Sequence, residues 1–134
     1  MDIKVATVDG RVPVTVVRVD GDIDSSTIEM FETKADELIA SGSRYILLDL
    51  SHTPFVSSAG LRVLHAVYNK LRELHPDLNL TNEQVKQGIR EGTYKSPHLK
   101  LLKLSKETRK VFELSGYDMY IETFEDEKTA IAAF

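Results

Sequence analysis

The 134-residue chain is long enough to bury one core and too short for two comfortable ones, and it has no cysteine, which removes disulfides and thiolate chemistry. With 17 basic against 21 acidic residues and a formal net charge of −4, it has no electrostatic case for gripping a phosphate backbone. Met1-Asp2-Ile3-Lys4 leads straight into a strand, and no long apolar run follows, so the expectation is a cytoplasmic protein without a membrane span.

Ile3 to Val8 and Val12 to Val19 are valine-rich runs joined at Asp9-Gly10, a pair suited to the positive φ angles of a tight hairpin, which predicts antiparallel neighbours. Pro13 cannot donate to a ladder, so the start of the second strand is expected at an edge or a bulge. Ser26 and Glu29 have the offset of a capping box, and Ile28, Phe31, Ala35, Leu38 and Ile39 then make a helical stripe that ends near Gly42.

Tyr45 to Leu48, with Leu50 after Asp49, form an apolar run without alternation, as in a central strand covered on both faces. From Ser58 the apolar residues fall at Leu61, Leu64, Tyr68 and Leu71, the spacing of one helical face, and the helix is predicted to run to about Leu74. A strand, a helix and the Tyr45 strand make a crossover unit, which pairs its strands in parallel.

His75-Pro76-Asp77 breaks the helical pattern, and Thr81 to Gln84 offers a second capping box for a short helix from Asn82 to Glu91. Its apolar content is little more than Val85 and Ile89, so a peripheral excursion is expected. Leu99, Leu101, Leu102 and Leu104 suggest a strand. Ser105 caps a helix that Gly116 ends, Tyr120 to Phe124 is the last strand, and Ala130, Ile131 and Phe134 face a closing helix inward. The expected fold is α/β: one domain over residues 1–134, a small mixed sheet flanked by helices.

Two serines and a small-residue pair open the helix after the central strand. The first N–H groups of a helix lack internal partners and the macrodipole adds partial positive charge, so an anion on Ser57 or Ser58 would be well placed. Ala59 and Gly60 keep bulk away from the same turn. The plainer alternative is that one serine merely caps the helix. Ser58, His52 and Asp49 also have the residue types of a nucleophile, base and orienter, but Asp49 and His52 lie only three residues apart, and no Gly-x-Ser-x-Gly is present, which argues against a serine hydrolase. His65, His75 and His98 lack a carboxylate at metal-ligand spacing and are expected in surface or loop positions, with no metal and no cofactor. Lys100, Lys103, Lys106, Arg109 and Lys110 gather on the predicted strand and helix and read as a solvated face.

The stretch FVSSAGLRVL, Gly21-Asp22-Ile23-Asp24 after a valine-rich strand, and the ending VFELSGYDMYIETFEDEKTAIAAF together resemble the STAS domain, within it the free-standing anti-sigma factor antagonists. Residues 76–97 have no counterpart in that resemblance and read as an insertion. The resemblance implies a non-enzymatic binding module. Its unphosphorylated form would bind an anti-sigma factor that is also a serine kinase and so free the sigma factor, and a serine phosphatase would reset it. A scaffold or an accessory subunit of a signalling or lipid-transport complex is the alternative role for such a domain. Carried over residue by residue, the resemblance makes Ser58 the phosphoacceptor, with Ser57 as the alternative. Many relatives have Asp where this chain has Ser57. Asp24 matches an aspartate near the phosphoserine, and Asp22 stands in a commonly acidic position that suits partner contact. Asp24 can reach the helix start only if the second and central strands lie side by side.

Overall fold

The computed structural model describes residues 1–74 and 81–134. His75, Pro76 and Asp77, where the sequence predicts a break, lie outside the described residues.

Among the described residues five strands form one sheet in the order of the chain: β1 (Asp2–Asp9), β2 (Pro13–Asp20), β3 (Ile46–Asp49), β4 (Leu99–Leu102) and β5 (Glu122–Phe124). β1 and β2 are antiparallel, and every later pair is parallel. The parallel pairs require crossovers. These are α1 (Ile28–Ala40), then α2 (Ser58–Leu74) with α3 (Asn82–Glu91), then α4 (Lys106–Leu114), while α5 (Glu127–Ala132) closes the chain. The expected α/β domain with a mixed sheet is therefore present, and β3 is its central strand.

β3 has no polar face in its first three residues because neither side meets water. Ile46 and Leu48 pack into the larger core with Phe31, Leu64, Val67 and Phe112 from the crossover helices. Leu47 points the other way and packs with Val14, Val16, Leu102, Ala130 and Ile131, under α5. The apolar stripes of α1 and α2 are buried as their spacing predicts, through Phe31, Ala35 and Ile39 on one and Leu61, Leu64, Tyr68 and Leu71 on the other. Among the described residues, no helix is long and apolar enough to cross a membrane.

Several local expectations are corrected. The hairpin closes at Asp9 opposite Pro13, which leaves Gly10, Arg11 and Val12 as a three-residue loop, and Gly10 is not among the glycines at positive φ. Its smallness serves packing instead, since a Cβ there would lie 2.9 Å from the Ile131 side chain. Pro13 is the first residue of an interior strand, two residues before the pairing with β3 begins at Thr15, so its missing N–H costs no ladder bond. The capping box of Ser26 and Glu29 does not form. Both the amide and the hydroxyl of Ser26 donate to the Asp24 carboxylate, at 2.9 and 2.6 Å, and α1 starts after Thr27 without a side-chain cap. The Asp24 carboxylate takes both Ser26 donors, and because the cap position is Thr27 rather than Ser26, Glu29 does not stand where a capping box needs it. Tyr120 and Ile121 precede β5, after a 3-10 turn at Tyr117–Met119.

The helix at Asn82–Glu91 has the predicted capping box, with Thr81 Oγ1 accepting from Gln84 N at 3.1 Å and Gln84 Oε1 accepting from Thr81 N at 2.8 Å. It is less peripheral than its composition suggests. Val85 and Tyr94 are buried in the larger core, and the Tyr94 and Tyr68 hydroxyls lie 3.1 Å apart. Gly88 allows this approach, because a Cβ there would sit 2.8 Å from Tyr94 Cβ. The histidines are also placed differently. His98 is buried, with Nδ1 3.2 Å from the Arg44 carbonyl. His65 lies on α2 with its two ring nitrogens engaged by the Tyr120 hydroxyl and by Asn69, and burial lowers its pKa. Lys100 does not belong to a solvated basic face, because it is buried and paired with Glu122 at 2.8 Å.

Truncating Val85 to alanine removes two core methyl groups, so Val85→Ala is expected to cost about 2 kcal/mol in urea unfolding. A loss under about 0.5 kcal/mol, the scale of an ordinary surface change, would mean that α3 contributes nothing to the core.

Candidate functional site

The site is built at the carboxyl ends of β2 and β3. Their parallel register runs from Thr15 against Ile46 to Arg18 against Asp49. Backbone bonds continue it beyond both strands: Gly21 N donates to the His52 carbonyl at 3.0 Å and Ile23 N to the Phe55 carbonyl at 3.0 Å, while Ser57 N donates back to the Ile23 carbonyl at 2.9 Å. Ile23 and Val56 form an isolated parallel bridge, and both are fully buried. Thr53 Oγ1 adds a buried bond to the Val19 carbonyl at 2.7 Å. The Gly-Asp-Ile-Asp turn is thus laced to the loop that opens α2, as the adjacency of the two strands requires.

The two serines have different surroundings. Ser57 is half-buried and precedes the helix. Its Oγ accepts from Gly60 N at 3.1 Å, and its carbonyl accepts from Leu61 N at 2.9 Å, which makes it the N-cap. Ser58 is the first helical residue, it is exposed, and its hydroxyl makes no hydrogen bond to another described residue. The capping alternative left open by the sequence therefore falls on Ser57. An aspartate at that position would cap equally well, so serine keeps the cap while removing a fixed negative charge.

Gly60 is buried, and the group that approaches its backbone is part of the chain itself. A Cβ at Gly60 would meet Val56 Cγ1 at 2.8 Å and the Ile23 carbonyl at 2.9 Å. The space that Gly60 leaves on its Cβ side is therefore filled by the chain's own turn. Ala59 is half-buried beside it. Asp22 is exposed, with its carbonyl accepting from Thr27 Oγ1 at 2.7 Å.

Asp24 follows the bridge residue Ile23, but its carboxylate is turned toward its own loop. The Ser26 hydroxyl and amide donate to it, and these bonds hold its pKa below the usual carboxylate value, with a smaller contribution from Thr27. A depressed folded-state pKa means that this turn is favoured above the ordinary carboxylate range and loses that support as the pH falls through it. Among the described residues Asp24 has no bond to Ser57 or Ser58.

The hydrolase arrangement is not assembled. His52 Nε2 lies 2.7 Å from Arg18 Nη2 and its Nδ1 lies 2.9 Å from Ser51 Oγ, so neither ring nitrogen is available to Ser58. Asp49 accepts from Ser51 N at 2.9 Å rather than orienting the imidazole. Among the described residues no group of three or more histidine and carboxylate side chains is placed to hold a metal ion.

What the sequence did not reveal is the far wall of the loop. Ser105 Oγ donates to the Pro54 carbonyl at 2.8 Å, and Val56 N donates to Thr108 Oγ1 at 3.1 Å. Both partners are about fifty residues away in the chain, where Ser105 looks like nothing more than a helix cap.

Separate roles for the serines give separable stability effects. Ser57→Ala should cost about 1 kcal/mol through loss of the cap. Ser58→Ala should stay within about 0.5 kcal/mol of the parent, as an exposed position without a bond does. Urea unfolding of the two variants checks this, and the reverse order would contradict the assignment of the cap.

Comparison with known proteins follows the same lines. The family model of the STAS domain matches residues 4–92. BtrV of Bordetella bronchiseptica, whose name describes an anti-sigma factor antagonist, is 29% identical over 114 residues, which is 85% of this chain and 80% of that protein. The crystal structure of an anti-sigma factor antagonist from Mycobacterium paratuberculosis is similar with a TM-score of 0.68 at 23% identity, over 98% of this chain and 93% of that one. The Bacillus cell fate determinant SpoIIAA, solved in its phosphorylated form, is similar with a TM-score of 0.61 at 18% identity, over 96% of each chain. The structural likenesses establish a shared fold, and with the family model spanning β1 to the end of α3, this chain belongs to the STAS domain family.

Proposed function

We propose that the chain is an anti-sigma factor antagonist switched by phosphorylation of Ser58. In this reading the unphosphorylated form binds an anti-sigma factor serine kinase in the cytoplasm and displaces the sigma factor. Phosphoryl transfer to Ser58 ends the binding, and a serine phosphatase restores it. The protein is a substrate and binding module, with no catalytic activity of its own.

The observation that carries this reading is the exposed hydroxyl of Ser58 on the first residue of α2, without a hydrogen bond among the described residues and beside a neighbour that already caps the helix. The names of BtrV and of the Mycobacterium protein support the antagonist role, and the phosphorylated form of SpoIIAA shows that a protein of this fold carries such a modification. Phosphorylation would place nearly two negative charges next to the first helix N–H groups, which have no intrahelical acceptor. The cap of Ser57 and the bridge of Ile23 with Val56 are untouched by it, so the fold persists while the surface changes. Asp22, Asp24 and Ala59 flank that surface. Asp24 orients its own turn through Ser26 and Thr27, and only secondarily faces the kinase.

Incubation with the cognate kinase and ATP, followed by intact mass measurement and fragment mapping, should find one phosphate, on Ser58. Phosphate on Ser57 alone, or on neither serine, would overturn the assignment. In a binding titration with the kinase, Ser58→Ala should bind as the unmodified protein does, whereas Ser58→Asp should weaken binding by about tenfold or more, because a charge now meets the nucleotide-bearing surface. Equal affinity of both variants would contradict the switch.

A further inference from the structure

The geometry points to Thr108, with Ser105, as positioning residues for the phosphoacceptor turn: a pair of hydroxyls on the first turn of α4 that holds the β3–α2 loop from the side opposite Ile23. This rests on the reading of Ser58 as the acceptor.

The loop has two backbone groups facing α4. Val56 N–H donates to Thr108 Oγ1 at 3.1 Å, and the Pro54 carbonyl accepts from Ser105 Oγ at 2.8 Å. The two hydroxyl oxygens are 3.0 Å apart. Each hydroxyl has a single proton. The Ser105 proton is shared between the Pro54 carbonyl and Thr108 Oγ1, and Thr108 Oγ1 also accepts from Val56 N–H, so the two hydroxyls join both backbone groups of the loop. Ser105 Oγ also accepts from Thr108 N at 3.1 Å as the cap of α4, so the pair is fixed to the helix.

Burial makes the arrangement consequential. Thr108 is 1% exposed and Val56 is fully buried, so no water can replace the hydroxyl. A buried N–H left without an acceptor is unfavourable enough to shift the loop rather than remain in place. Val56 lies two residues before Ser58, and its opposite side is already bound to Ile23. The start of α2 is therefore fixed between two clamps, one from the β2–α1 turn and one from α4. Transfer to a serine hydroxyl depends on in-line placement, where a displacement of about 1 Å can cost a hundredfold in rate. A clamp on this turn acts on the turnover step more than on the encounter.

The test uses the full chain and three proteins: the parent, Thr108→Val, which keeps the shape and deletes the hydroxyl, and Thr108→Ser, which keeps the hydroxyl. Amide exchange followed by NMR should show the Val56 amide exchanging about tenfold faster or more in Thr108→Val, with Leu47 and Leu48 in β3 unchanged and Thr108→Ser close to the parent. With the cognate kinase and ATP, kcat for Ser58 should fall about tenfold in Thr108→Val while KM changes less than about twofold, and Thr108→Ser should restore it. Unchanged exchange at Val56 would overturn the clamp. Faster exchange with an unchanged kcat would overturn its positioning role. If the parent itself is not phosphorylated, the reading of Ser58 fails, and the exchange comparison still decides whether the hydroxyl pair holds the loop. Should Thr108→Val not fold, Thr108→Ala, which likewise removes the acceptor of Val56 N–H, takes its place in both measurements.

Discussion

The organisation of the candidate site depends on one register, that of β2 against β3. Four parallel pairs from Thr15–Ile46 to Arg18–Asp49 set it, and the Ile23–Val56 bridge extends it past the ends of both strands. In a parallel pair the carboxyl ends lie at the same edge, so each following helix begins there, and two loops far apart in sequence meet. A slip of one residue would turn Ile46 and Leu48 toward α5 and Leu47 toward α2, exchanging the two cores. The larger core resists this because Ile46 and Leu48 pack among the crossover helices. Burial of three consecutive leucine and isoleucine side chains in β3 thereby fixes where Ser57 and Ser58 stand relative to Asp22 and Asp24.

Among the described residues the second face of the sheet is covered by one short helix, α5, and this accounts for the treatment of Lys100. The lysine alternates onto the face of Leu47 and Leu102, where α5 and Phe134 offer limited cover. Its Nζ reaches Glu122 at 2.8 Å and the Ser96 carbonyl at 3.2 Å, with the Phe134 ring centroid 5.3 Å away. Glu122 is at the sheet edge and 38% exposed, so the pair shares one solvated member. An ion pair that keeps one partner in water avoids most of the desolvation cost that two buried charges would carry. A five-stranded sheet with both faces fully covered would have had no such outlet.

Legibility of the sequence followed the range of the forces involved. The bounds of α2, the capping box at Thr81 and the cap at Ser105 were readable because each rests on contacts within four residues. The central position of β3 was readable from its unbroken apolar run. The loop at Gly10–Val12 was misread, since Gly10 is set by a side chain of α5 over a hundred residues away. Tyr94 and His98 looked peripheral for the same reason: their burial comes from Tyr68 and from the Arg44 carbonyl, and neither leaves a periodic trace. At the site, the motif indicated the two serines, while their division into cap and free hydroxyl required the Gly60 and Leu61 amides to be placed. Thr108 was invisible, as nothing near residue 108 refers to residue 56.

That division of labour between adjacent serines has a physical consequence for any modification here. A hydroxyl that caps a helix satisfies an otherwise unpaired N–H, so blocking it removes a bond and disturbs the first turn. A hydroxyl at the next position has no such duty, and an anion attached to it meets the positive end of the helix rather than competing with it. Ser57 supplies the first property and Ser58 the second, within one turn whose backbone is bound on one side by Ile23 and on the other by Ser105 and Thr108. Because the turn is held by groups other than the modified one, a large change of charge at Ser58 need not be transmitted into the core. It alters what an approaching surface encounters at the end of α2, and the response belongs to the partner.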